Sequence, residues 1–460
     1  MERVDVAVVG GGPAGASAGA AAAAGGANVV VLEEGVPRED RDGLGPDSTD
    51  AAGFLDYWTD VAGIDYRKIP EDVLLRELNG AAFVGPSEQV SFSGRTGLGG
   101  SYPGFGFTFD RAGFDDWLRA RAERAGADYR VGTAVRRVDL HRREDHRLTL
   151  ADGREMAAAR LVLADGPARR VTIPTLNQCL PEGVDVADRL GGRTANHVAY
   201  QEYRRIPSEL FESDTIRFWW GWMPGHTAYP WLFPNDGTVA RIGLTCPVDL
   251  EIDAVGDPDA YRLLRADDDR LPTGERYVRR LLAEAYPGYE LADFPLVTDR
   301  GKDAGTESYP ISSTRPIESP VASDVAVVGG AMGATSAFHE GGDHVAIRTG
   351  TLAGRLAARD ELARYNDAWQ AAIGDEVLRN VALAATVGSF GPAQWDRSFA
   401  AVNRLLDEHS RLSPGSDGYV SWARTAGRTG LVVGASYRWY RRRLRDGRYV
   451  QLREDEYCPP

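Results

Sequence analysis

Cysteine and lysine are both scarce in this 460-residue chain. The three cysteines, Cys179, Cys246 and Cys458, lie far apart and form no C-x-x-C pair. That spacing argues against an iron–sulfur cluster, a structural zinc site or a disulfide framework, and it suits a reducing cytosol. Lysine occurs only as Lys68 and Lys302, so nearly all positive charge is arginine, and the net charge is −14. With a pI near 5.1, nucleic acid is not an expected partner. Abundant acid with little lysine suits a high-salt surface, as in a halophilic archaeon; a GC-rich genome would give the same arginine bias. Only one stretch, Val6–Leu32, is free of charge for long enough to span a bilayer. It holds seven glycines and Pro13 and follows Glu2, Arg3 and Asp5 rather than a basic segment, so neither a signal peptide nor a membrane span is expected. There are no internal repeats.

That same stretch carries the strongest motif. "VDVAVVGGGPAGASAGAAAAAGGANVVVLEE" predicts a strand over Val4–Val9, a glycine turn, an alanine-rich helix ended by Gly25 and Gly26, and a second parallel strand. Gly10, Gly12 and Gly15 form G-x-G-x-x-G. Gly10 permits the tight turn, Gly12 lets a pyrophosphate approach the helix N-terminus, and Gly15 lets helix and strand pack closely. Glu33 stands 23 residues after Gly10, where an acid accepts hydrogen bonds from a ribose diol. The bland alternative is a tight turn in an α/β protein, but strand, helix, second strand and terminal acid all in register favour a dinucleotide.

Further on, "LVLADGPARR" (161–170) predicts a strand closed by Asp165-Gly166, and "DVAVVGGAMGATSAFHEGGDHVAIRTGTLAGRLA" (324–357) predicts strand, glycine turn and helix. This order resembles the FAD-dependent oxidoreductases of the para-hydroxybenzoate hydroxylase type. The resemblance implies a role for Arg111 at a helix start and a strand running into Val135 beside the adenine. A hairpin, "AYPWLFPNDGTVARIGL" (228–244), narrows it: Y-x-W-x-F-P followed after eight residues by a glycine resembles the signature of the geranylgeranyl reductase family. Members of that family use FAD to saturate isoprenoid chains of archaeal lipids or chlorophyll precursors. Strand alternation places Tyr229, Trp231 and Phe233 on one face, with Pro234 ending the pairing, so the four together suggest an apolar wall for a hydrocarbon. An aromatic core stripe is the commoner outcome on spacing alone; the flavin motifs and the family resemblance favour the wall.

Several positions depart from the family pattern. Gly330 replaces the aspartate that would hold the ribityl chain, and Ala337 replaces a proline. His339-Glu340-Gly341-Gly342 stands in place of T-G-G-G, "GLGPDS" (43–48) lacks the family's cysteine, and the hairpin closes on Gly243-Leu244-Thr245. Amides of Gly341 and Gly342 are expected to face the flavin ring. Tyr229 and His339 are the candidate proton donors, although position alone supports the latter and a histidine that merely bonds a loop carbonyl is the favoured reading. His339, Glu340 and His344 give H-E-x-x-x-H, whose five-residue spacing takes the histidines off one helical face, so no metal is expected.

The expected fold is α/β: a Rossmann-like FAD-binding domain (1–175, completed by 301–375) interleaved with a mixed-sheet substrate domain (176–300), then a C-terminal helical region (376–460). The expected function is FAD-dependent reduction of isoprenoid double bonds of a polyprenyl lipid. No second G-x-G-x-x-G serves a nicotinamide, which points to an external electron donor such as ferredoxin. "YRWYRRRLRDGRY" (437–449) suits either an anionic lipid surface or a solvated helix. Two other uses of such a chain stay open: a monooxygenase or another flavin oxidoreductase on a different apolar substrate, or a flavin- or lipid-binding protein without turnover.

Overall fold

The charge-free opening run becomes the centre of the first sheet. In the computed structural model, which describes residues 1–36, 53–141, 144–190, 196–312, 314–409 and 427–458, strand β1 (Glu2–Val9) leads through the glycine turn into helix α1 (Pro13–Ala24) and strand β2 (Val29–Leu32). Strand β3 (Gly53–Leu55), helix α2 (Trp58–Ala62) and strands β4 (Leu74–Leu78), β5 (Gly80–Val84), β6 (Gln89–Ser93) and β7 (Gly106–Phe109) follow. Then come α3 (Arg111–Arg124), β8 (Asp128–Arg130), β9 (Val135–Asp139), β10 (His146–Leu150), β11 (Glu155–Leu163), α4 (Thr172–Leu176) and α5 (Val186–Arg189). The second half supplies β12 (His197–Arg205), β13 (Thr215–Trp219), β14 (Tyr229–Pro234), β15 (Val239–Pro247), α6 (Gly274–Ala285), β16 (Thr306–Ile311) and β17 (Val325–Val327). Four helices complete it: α7 (Asp343–Ala358), α8 (Tyr365–Val387), α9 (Pro392–His409) and α10 (Gly427–Arg443).

The first sheet runs β8-β2-β1-β11-β10-β9, with β17 also paired to β11. β8, β2, β1, β11 and β17 are parallel, so β1, β11 and β17 end at one edge. Gly10, Asp165-Gly166 and Gly329-Gly330, far apart in sequence, therefore stand side by side at the carboxyl edge, where open α/β sheets bind ligands. α1 and α7 pack closely against each other. A Cβ on Gly350 would lie 2.0 Å from the Ala14 carbonyl oxygen, and one on Gly354 would lie 2.1 Å from that of Ala18. Only hydrogen fits there.

One expectation fails at this sheet. The strand beside β2 stops at Arg130, and Val135 instead opens β9, which pairs antiparallel with β10. The chain turns through 131–134 after Gly132 and Thr133 donate to the carbonyls of Gly35 and Glu33.

The second sheet runs β16-β12-β15-β14-β13-β5-β6, antiparallel except for the β13–β5 pair. It draws β5, β6 and β16 from outside 176–300. Its back packs on α6 through Trp219, Trp222, Ile242 and Leu244; its front faces the first sheet's carboxyl edge. A three-stranded sheet, β3-β7-β4, completes the fold. Among the described residues no helix is long and apolar enough to cross a membrane.

Candidate functional site

Between the glycine edge of the first sheet and the front of the second lies a cavity of about 610 Å³. Its first end is built from backbone: Gly12, Pro13, Gly166, Gly330, Gly341 and Gly342 line it. Nothing stands within 4 Å of the point a Cβ on Gly12 would occupy, nor of the one on Gly166, so open space meets the N-terminal turn of α1. Gly10 (φ +96°) and Gly15 tighten the turn behind it; a Cβ on Gly15 would lie 1.8 Å from the Gly10 carbonyl oxygen.

Glu33 stands just past β2 and holds this loop: its carboxylate accepts the Gly11 amide at 2.5 Å and the Gly35 amide at 2.7 Å. Arg111 is the first residue of α3 and reaches the cavity, paired with Asp115 at 2.9 Å and Asp343 at 3.1 Å. Asp165 caps α4, accepting from the amides of Val171 and Thr172 and from the Thr172 hydroxyl. Val135 is half-buried against the main core and is not among the cavity's lining residues. "GLGPDS" lies outside the described residues.

The second end is built from side chains. Tyr229, Trp231 and Phe233 all line the cavity, as period-two alternation requires. Phe218 and Trp220 join them, whereas Trp219 and Trp222 belong to the core behind the sheet. The F-W-W-G-W run thus does both things: alternate rings face the cavity and the back. Pro234 corrects the expected four-residue wall. It has the opposite parity, is buried, and does not line the cavity; its carbonyl accepts the Thr108 hydroxyl at 2.8 Å. The motif's distant glycine also gains a reason. Gly243 sits opposite Trp231 across β14–β15, and a Cβ there would lie 2.7 Å from the indole.

Tyr229 and His339 meet at the seam, because the Tyr229 hydroxyl donates to the His339 carbonyl at 2.7 Å. Neither is well placed to give up a proton. Burial and the nearby Glu340 raise the Tyr229 phenol well above its ordinary value. Burial, with His344 close by, pushes the His339 imidazole down to about 3, so at neutral pH it is uncharged. Its Nδ1 accepts the Gly341 amide at 3.2 Å.

Three groups here escaped the sequence reading. Arg169, buried, supports the Gly330 segment by donating to the Ala331 carbonyl at 2.8 Å, and burial lowers its guanidinium to about 10. Trp58 stacks against both His344 (ring centroids 4.2 Å apart) and His339 (4.9 Å), which stand 6.2 Å from each other. Behind it His344 stands 3.4 Å from Glu376, which pairs with Arg379 at 2.7 Å. Burial opposes the charge on Glu376, but His344 and Arg379 outweigh it and hold the carboxyl down at about 2. These residues come from segments near 58, 169, 344 and 376, with no motif linking them.

No family model matches the chain. Over 401 residues, 80% of this chain and 83% of the relative, it is 26% identical to digeranylgeranylglycerophospholipid reductase 2 of Methanopyrus kandleri. Its fold matches a geranylgeranyl bacteriochlorophyll reductase-like protein of Thermoplasma acidophilum with a TM-score of 0.66 and 19% identity, over 97% of this chain and 99% of that one. It also matches the myxobacterial chondrochloren halogenase, an FAD-dependent halogenase, with a TM-score of 0.57 and 19% identity, over 98% and 100% of the two chains. By sequence, then, the chain is similar to a digeranylgeranylglycerophospholipid reductase, and its fold is one shared with a geranylgeranyl bacteriochlorophyll reductase-like protein and an FAD-dependent halogenase.

Proposed function

We propose that this protein holds FAD at the glycine-built end of the cavity and saturates isoprenoid double bonds of a polyprenyl membrane lipid held against the aromatic end. One observation carries the reading: the Tyr229–Trp231–Phe233 face and the glycine loops line the same cavity. The residues present suit the cofactor. Gly12 leaves room for a pyrophosphate over the first turn of α1, and Glu33, which holds the Gly11 and Gly35 amides and is not among the cavity's lining residues, is proposed to accept from a ribose diol. Gly166 and Gly330 leave the sheet edge open, and Gly341-Gly342 opens α7 with its positive dipole end toward the cavity. When bound, FAD supplies the hydride such a reduction needs.

The rest falls to this chain. Aromatic rings offer a hydrocarbon a surface that asks for no hydrogen bonds and excludes water. Their faces also stabilise positive charge developing on an alkene as it takes up a proton. Electrons are proposed to come from an external donor such as ferredoxin. Contact with an anionic membrane is proposed through α10 and its end, where exposed Val432 and Trp439 accompany Arg442 and Arg443.

The test is anaerobic incubation of the flavin-loaded protein, chemically reduced, with geranylgeranyl lipids of several head groups, followed by mass spectrometry. Products heavier by one hydrogen pair per saturated bond support the reading; unchanged lipid across the series overturns it.

A further inference from the structure

Saturating a double bond adds hydride to one carbon and a proton to the other, and neither Tyr229 nor His339 is a ready proton source. Resting on the proposed function, the structure points to a different one behind the cavity wall.

A second, small cavity of about 10 Å³ lies beside the first, the room that the centre of one water needs. His344, Glu376, Ser336 and Thr335 line it, with Val381 on the α8 side. His344 is fully buried. Its Nε2 faces Glu376 at 3.4 Å, while its Nδ1 has no hydrogen-bond partner among the described residues. A buried ring nitrogen left unpaired is costly, and a water in the adjoining space removes that cost. Thr335 lines both cavities. Arg379, partly exposed, and the Tyr57 hydroxyl connect Glu376 to the outside.

We propose that one water in this small cavity relays protons from the His344–Glu376 pair through the Thr335 hydroxyl into the large cavity, supplying the proton that alkene saturation consumes. Protonated His344 gives its Nδ1 proton to the water and keeps Nε2–H toward the Glu376 carboxylate. The water passes a proton to Thr335 Oγ1, whose own hydroxyl proton goes to the alkene carbon. One C–H bond forms there while hydride forms the other, so the double bond gains one hydrogen pair. Once the product leaves, solvent entering the large cavity returns a proton to Nδ1 by the same Thr335 and water path, while Nε2–H stays on the Glu376 carboxylate. Trp58, stacked on His344, fixes the ring's orientation.

Two substitutions test the relay from opposite sides. Thr335→Val keeps the side-chain shape and removes the hydroxyl; Val381→Ile fills the small cavity from α8 without touching either polar partner. In single-turnover reactions with reduced, flavin-loaded protein, both are expected to slow lipid saturation about a hundredfold, with KM little changed. In ¹⁵N-histidine-labelled protein without flavin, Val381→Ile is expected to move the His344 Nδ1 resonance by displacing the water. Wild-type saturation rates in both variants overturn the relay, as does an unmoved Nδ1 resonance. A wild-type protein that saturates no lipid overturns the functional reading instead, and the resonance alone then decides the relay.

Discussion

The two ends of the large cavity are made in different ways. The glycine end is backbone: its shape comes from residues whose side chains are absent, and a single Cβ at Gly15 or Gly350 has nowhere to go. The aromatic end is side chain: its shape comes from which parity of β13 and β14 faces inward. The glycines packed behind that end tolerate almost no substitution, because atoms of the main chain cannot swing aside, while those that face the cavity leave it room. A side-chain wall can be trimmed ring by ring, and its failures fall on the ligand before they fall on the fold.

The most severe test of that contrast sets two rings of one sheet against each other. Trp219→Ala, behind the sheet, is expected to cost about 3–5 kcal/mol of stability. Phe233→Ala, on the cavity face and half-buried, is expected to cost clearly less while raising KM for lipid. Thermal unfolding without flavin and lipid titration separate the two; equal losses of stability would show that parity does not divide core from wall. At the glycine end, Gly330→Asp restores the partner that the family pattern leads one to expect for the ribityl chain. The nearest neighbour of a Cβ there is Pro167 at 3.2 Å, which needs to yield only slightly. A charge-assisted hydrogen bond contributes about 1.5–3 kcal/mol, so FAD is expected to bind roughly tenfold to a hundredfold more tightly by fluorescence titration. Weaker binding would show that the open Gly330 serves this chain's own arrangement.

Under the aromatic end, Gly243 shows how a short motif can encode a contact that is not local. Its replacement by alanine pushes against Trp231 and is expected to cost about 1–3 kcal/mol. It should also narrow the cavity enough to favour shorter prenyl chains. Unaltered chain-length preference by mass spectrometry would leave Gly243 a packing residue only.

Much of both ends was legible because each rests on a local rule. G-x-G-x-x-G with Glu33 downstream, Asp165-Gly166 and the Gly329-Gly330 turn are short-range patterns, and alternation along Tyr229–Phe233 needs only a strand. Misreadings arose where pairing is non-local. Val135 belongs to an antiparallel arm because β9 meets β10, a choice that the run "YRVGTAV" does not reveal. The recruitment of β5, β6 and β16 into the second sheet leaves no mark on those segments. The motif groups Pro234 with the wall, although strand parity puts it on the other face. The Trp58–His344–Glu376 cluster unites three distant segments, each unremarkable alone.

The smallest effect concerns acid, and it assigns one histidine to each region. His146, in β10 of the first sheet, is pushed down to about 4 by burial, and His339, at the seam of the cavity, to about 3, from an ordinary value of 6.5. Each is held neutral when folded and takes up a proton when unfolded. Below the unfolded value the unfolded chain therefore binds more protons, so stability falls as the pH drops from about 6.5 toward 4. Glu376, held down at about 2 with Arg379 and His344 facing it, adds a loss of the same sign only below its ordinary value of 4.5. Between pH 7 and 6 the two histidines together are expected to contribute on the order of 1 kcal/mol. Urea unfolding at the two pH values reads the slope, and His339→Asn should remove only its own share, because His146 lies in β10 and does not line the cavity. If the slope is unchanged in that variant, the seam histidine is not held neutral by burial, and a proton on His339 becomes available to the cavity after all.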